Sequence, residues 1–88
     1  MAYSLQFIPA AARQLEKLPR PVQRRIHDAV DTLTANPRHQ GAKKLAGTND
    51  LWRIRVGTYR VVYQIHDARL LVLVIRIAHR KDVYRGEK

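Results

Sequence analysis

The sequence predicts an α+β domain in the order β-α-α-β-β-β, its N-terminal strand and helical hairpin packed on one face of a mainly antiparallel four-stranded sheet. Three observations predict it. Two amphipathic segments follow one another across the joint Leu18-Pro19-Arg20-Pro21. Three short runs rich in β-branched and aromatic residues then succeed each other between positions 51 and 77. The last of these, LLVLVI, is apolar at consecutive positions, as suits a central strand covered on both sides. Helices grouped early and strands grouped late place the helices on one face of an antiparallel sheet.

Taken in order, YSLQFI at 3–8 alternates as a short strand does. Pro9 sits where the first turn of a helix tolerates proline. Ala12, Leu15 and Leu18 follow at i, i+3 spacing, and Pro19 stops the helix. Pro21 opens a second helix whose buried stripe is Val22, Ile26, Ala29, Val30 and Leu33, and Asn36-Pro37 ends it. Residues 38–50 carry two glycines and no sustained period, and are expected to form a loop. Strands are expected at 51–56, 59–65 and 70–77. With no internal repeat or linker, the 88 residues are read as one domain, 1–88.

Charge narrows the function. Seventeen Lys and Arg oppose seven Asp and Glu, a net +10 with a sequence pI near 10.9. Such a balance favours polyanions, nucleic acid foremost. Twelve of the 17 cations are arginines, whose planar forks grip phosphate in a bidentate way that lysine does not. Cysteine is absent, which removes disulfides and thiolate metal sites and fits a reducing compartment. The N-terminus lacks the pattern of a signal peptide, and the longest apolar run, 70–75, is too short to span a bilayer. A cytoplasmic protein without a membrane partner is expected.

The arginines acquire a geometry from Val56-Gly57-Thr58-Tyr59. Glycine at the first position of a two-residue turn favours a type II′ hairpin. Val56 then pairs with Tyr59, Arg55 with Arg60, Ile54 with Val61 and Arg53 with Val62. Alternation puts Trp52, Ile54, Val56, Tyr59, Val61 and Tyr63 on the helix-packed face, and Arg53, Arg55 and Arg60 on the other. Arg55 facing Arg60 costs a few tenths to about 1 kcal/mol, a cost that a bound polyanion reverses. Arg76, His79, Arg80, Lys81 and Arg85 add positive or titratable groups around Tyr84, and an aromatic among cations is one way single-stranded nucleic acid is held. Tyr84 serves equally well as a packed C-terminal anchor. If the next hairpin turns at Asp67-Ala68, Arg60 faces Ile75 and simple alternation puts His79 on the arginine face. A bulge or strand end near Ala78 is needed to bring Arg80 there instead, and the sequence leaves that choice open.

Other constellations are weak. The four histidines, His27, His39, His66 and His79, lack metal-ligand spacing, and no metal or cofactor is expected. Neither a P-loop nor a dinucleotide-binding fingerprint occurs. His79, beside the basic cluster, has a side chain suited to proton transfer near neutrality.

The run KKLAGTNDLWRIRVGTYRVVYQIHD, followed by LVLVIRIAHRKDVYR, resembles the RelE/ParE superfamily of toxin–antitoxin toxins, and within it the RelE branch. The opening AYSLQFIPAAARQLEKLP fits as well, so the resemblance spans the chain. It implies a RelE-like fold and a metal-independent endoribonuclease that cuts mRNA in the ribosomal A site. In that reaction the ribose 2′-hydroxyl attacks the adjacent phosphate. By resemblance the functional positions fall on Arg53, Arg55, Arg60, Arg80 and Tyr84. The best-known family pattern carries lysines where this chain has Arg53 and Arg55, and arginine is a poor general base. Arg60 and Arg80 are accordingly expected to stabilise the phosphorane, and Arg53 and Arg55 to position the backbone and polarise the 2′-hydroxyl. Tyr84 would stack on a base, with His79 as a candidate proton carrier. Lys81, Arg85 and Arg76 are read as further phosphate contacts. The implied partners are a RelB-like antitoxin, the 70S ribosome with its mRNA, and operator DNA through the antitoxin alone. Two alternatives stand beside this reading: a ParE-type poison of DNA gyrase, and a non-catalytic homologue that acts through antitoxin binding and operon repression.

Overall fold

The computed structural model describes residues 2–47 and 51–79. Its elements are β1 (Ser4–Phe7), α1 (Pro9–Glu16), α2 (Arg20–Ala35), β2 (Lys43–Lys44), β3 (Leu51–Val56), β4 (Tyr59–His66) and β5 (Leu71–His79). They form one five-stranded sheet in the order β1-β5-β4-β3-β2, with β1 parallel to β5 and the other pairs antiparallel.

Proline sets the helix boundaries. Pro9 occupies the first turn of α1, where its missing N–H costs nothing. Pro19 is the N-cap of α2, and Pro21 lies in its first turn. The last carbonyls of α1 lack helical partners, and the Gln23 amide donates to the carbonyls of Leu18 at 2.8 Å and Glu16 at 3.3 Å. One side chain of α2 thereby closes the helical hairpin. Ile26, Val30 and Leu33 are fully buried, and Val22 and Ala29 half-buried, as the stripe predicts. In α1 the core residues are Ala11 and Leu15; Ala12 is only half-buried, and Leu18, also half-buried, lies past the helix, which ends at Glu16 rather than at Pro19. Both helices lie against Ile54, Val61, Tyr63, Val72, Val74 and Ile77.

Three expectations are corrected. The sheet has five strands, because Lys43 and Lys44, expected within a loop, pair with Arg53 and Trp52. A two-residue strand has no period to detect. The second hairpin does not turn at Asp67-Ala68: a 3₁₀ turn, Asp67–Arg69, is followed by Leu70 in the left-handed region at φ 50°, and His66 pairs with Leu71. β5 also runs on to His79. It lies between β1 and β4, with Val72, Val74 and Ile77 buried, while Leu71, Leu73 and Ile75 are half-buried.

β1 pairs with β5 only as far as Phe7 and Val74. Beyond that point the outer edge of β5 meets α1, and the Ile77 N–H donates to Gln14 Oε1 at 2.8 Å. At the opposite end of the strands, Arg38 grips Asp67 through both guanidinium nitrogens, at 3.1 and 2.8 Å. The Tyr3 hydroxyl donates to the same carboxylate at 2.7 Å, and the Arg38 guanidinium lies 5.6 Å from the Trp52 ring centre. This clasp joins the start of the chain, the segment after α2 and the β4–β5 turn.

Candidate nucleic-acid interface

The β3–β4 hairpin follows the predicted register. Gly57 adopts φ 61° while Thr58 keeps a negative φ, the combination a type II′ turn requires. The pairs are Val56 with Tyr59, Arg55 with Arg60, Ile54 with Val61, and Arg53 with Val62. Ile54, Val61 and Tyr63 enter the core, and Trp52, Val56 and Tyr59 pack against it. Arg53, Arg55 and Arg60 therefore share the face turned away from the helices.

The arginines are not equally solvated. Arg55 is exposed, but Arg53 retains only 8% of its accessible surface and Arg60 only 6%, beside buried Val62. A guanidinium in such surroundings pulls on an approaching phosphate more strongly than one in open water. No Asp or Glu occurs in any of the five strands. Asp67, which follows β4 directly, is held by Arg38 and Tyr3. Those contacts draw its carboxyl down to about 2. Burial pushes the Tyr63 hydroxyl up to about 12, against the opposing pull of Arg38 and Arg53, and it donates to the Pro37 carbonyl at 2.7 Å.

β5 contains the bulge that the alternation argument required, at a different place. Tyr63 pairs with Val74 and Val62 with Arg76, so Ile75 is an extra residue opposite that step. The parity of the strand changes there. Arg76 and Ala78, paired with Val62 and Arg60, fall on the arginine face. His79 pairs with Tyr59 on the helix-packed face, where the two rings meet edge to face at 5.4 Å. The structure thus separates His79 from Arg53, Arg55 and Arg60. His79 and Tyr59 line an open cavity of about 430 Å³ with Gln14, Lys17 and Leu18 at the α1 end, and Arg76 also borders it. Arg80, Lys81, Tyr84 and Arg85 lie outside the described residues.

Lys43 is the residue that sequence reasoning missed. Its pairing with Arg53 puts it on the arginine face, one strand further out. The face then reads as two rows across the sheet: Lys43, Arg53, Val62 and Arg76, and beside it Arg55, Arg60 and Ala78. Among the described residues no three His, Cys, Asp or Glu side chains cluster to hold a metal. The chemistry this face offers is fixed positive charge and bidentate donors for phosphate oxygens.

The chain resembles known proteins over nearly its whole length. A family model described as the ParE toxin of the type II toxin–antitoxin system parDE matches residues 5–84. Toxin RelG of Mycobacterium tuberculosis is 37% identical over 89 residues, covering 97% of this chain and 99% of RelG. The mRNA interferase toxin RelE of Escherichia coli is 33% identical over 88 residues, covering 96% of this chain and 92% of its own. In the crystal structure of the intact E. coli RelBE toxin–antitoxin complex, the matching chain superposes with a TM-score of 0.80 at 30% identity. That match covers 89% of this chain and 96% of the other. The fold, the arginine hairpin and these matches together make the chain a member of the RelE/ParE superfamily of type II toxin–antitoxin toxins.

Proposed function

We propose that this toxin is a ribosome-dependent, metal-independent endoribonuclease that cuts mRNA in the A site. The observation that carries the reading is the pair of buried arginines, Arg53 and Arg60, beside exposed Arg55 on a sheet whose described strands contain no Asp or Glu. In-line attack of a ribose 2′-hydroxyl, which gives up its proton to water, on the adjacent phosphate breaks the P–O5′ bond. The departing 5′-oxygen takes a proton from water, giving a 2′,3′-cyclic phosphate and a 5′-hydroxyl. Charge builds on the phosphoryl oxygens along the way, and preorganised donors aimed at that charge can contribute several kcal/mol. Arg60 and Arg80 serve this role. Arg53 and Arg55 hold the backbone in line and polarise the 2′-hydroxyl, Tyr84 stacks on a neighbouring base, and Arg76, Lys81 and Arg85 bind flanking phosphates. Arginine keeps its proton, so the reaction draws on electrostatics more than on proton abstraction by these side chains. His79, on the other face, is left out of the chemical step. A RelB-like antitoxin neutralises the toxin, in keeping with the RelB partner in the E. coli complex.

The test is to induce the protein in cells and map mRNA 5′ ends on ribosomes. Wild type is expected to produce in-frame cleavage. Arg60→Ala should abolish it, and exposed Arg55→Ala, which leaves the core untouched, should lower it at least tenfold. In a reconstituted ribosome assay the rate should show no inflection between about pH 6 and 8. An inflection lost in His79→Gln would return that histidine to the mechanism. The family model is described for a ParE toxin, which favours one second reading: a poison of DNA gyrase on the same fold. Growth arrest with intact mRNA and broken DNA would establish it in place of the nuclease.

A further inference from the structure

The arginine face extends one strand beyond the hairpin that defines it. We infer that Lys43, on β2, is a phosphate-binding residue of this face, holding the RNA backbone on the side of Arg53 away from Arg60. The inference rests on the RNA-binding reading above and adds a contact to it. Directly paired antiparallel residues share a face, with Cβ atoms roughly 5 Å apart, so the Lys43 ammonium extends from the same surface as the Arg53 guanidinium. Lys43 is exposed where Arg53 is buried. The lysine can therefore move to meet a phosphate while the arginine stays fixed.

Two like-charged pairs cross this face, Lys43 with Arg53 and Arg55 with Arg60. Cations set opposite one another on neighbouring strands favour an anion lying over both. The row from Lys43 through Arg53 and Val62 to Arg76 spans three strand spacings, roughly 14 Å. An extended single strand laid across the sheet would meet cations at both ends of that row. Lys43 supplies the β2 end.

Lys44 is the matched control. It has the same chemistry and exposure, one residue away, but pairs with Trp52 and so belongs to the opposite face. Both residues hold β2 through the backbone, which alanine preserves. The experiment measures affinity of the full chain for a short single-stranded RNA oligonucleotide across a salt series. Wild type is compared with Lys43→Ala, Lys44→Ala, Lys43→Arg and Arg55→Ala, each checked for an unchanged thermal melt. Lys43→Ala is expected to weaken binding by about three- to tenfold and to flatten the dependence of log affinity on log salt by roughly 0.7. Lys43→Arg should restore both, and Lys44→Ala should leave the slope as in wild type. If Arg55→Ala flattens the slope but Lys43→Ala does not, the face binds RNA without Lys43 and this inference falls alone. Equal losses for Lys43→Ala and Lys44→Ala would reduce the effect to net charge and overturn it too. If Arg55→Ala leaves binding unchanged, the arginine-face reading falls, and the Lys43 contact with it.

Discussion

Asp67 shows what a single side chain can hold together. Its carboxylate receives two bonds from Arg38 and one from the Tyr3 hydroxyl, and these bring it from an ordinary 3.8 to about 2. A carboxyl that binds its proton less readily when folded stabilises the fold above its unfolded value, and that stability is lost as pH falls through the folded one. Denaturation midpoints should therefore decline between about pH 4 and 2 in the wild type. In Asp67→Asn they should be lower at neutral pH and less sensitive to acid across the same interval. A decline as steep as that of wild type would show that the clasp contributes nothing. At this scale the sequence was partly legible. Arg53, Arg55 and Arg60 could be set on one face by a two-residue turn, because a glycine at its first position restricts the geometry to very few forms. That Arg53 and Arg60 are buried while Arg55 is exposed could not be read, since burial depends on what packs around a position as well as on its parity.

At the scale of elements, legibility followed periodicity. β3 and β4 alternate, and their facing pairs were predicted residue for residue. β5 is apolar at five successive positions, Leu71 to Ile75, so no pattern marks which residue is the extra one. The bulge at Ile75 therefore went unseen, and with it the separation of Arg76 from His79. The register makes a specific prediction. Deleting Ile75 should leave Val74 opposite Tyr63 and Arg76 opposite Val62 in a regular ladder, with both faces preserved. The loss of one half-buried isoleucine should cost about 1 kcal/mol and lower the melting temperature by roughly 4–8 °C, with RNA binding largely intact. Inserting an alanine between Ile77 and Ala78 should instead exchange the faces of Ala78 and His79. If both changes abolish binding equally, the register is not what sets the interface. β2 was missed for a simpler reason: two residues cannot display a period.

For the whole molecule, shape and charge act together. A net +10 on a chain with a radius of gyration of 12.2 Å produces a field felt well before contact, which speeds encounter with a polyanion and weakens as salt is added. The helices occupy one side of the sheet and the cationic rows the other, so the core and the interface use opposite faces of the same strands. That economy was visible in outline from the order of elements. The edges were not, because which strand borders which is set by long-range pairing.

The parallel pairing of Ser4 with Leu71 has a consequence for how the protein comes into being. During synthesis the first strand leaves the ribosome long before its partner exists, while α1 and α2 can form early from local contacts. Only after β5 has emerged can the sheet close, the Gln14 amide reach Ile77 and the rows of cations line up. A nascent chain halted at residue 66 should be digested readily by protease, whereas one carried through residue 88 on a long linker should resist. With this strand order the cation-bearing face cannot assemble until β5 has been made, late in the chain's own translation.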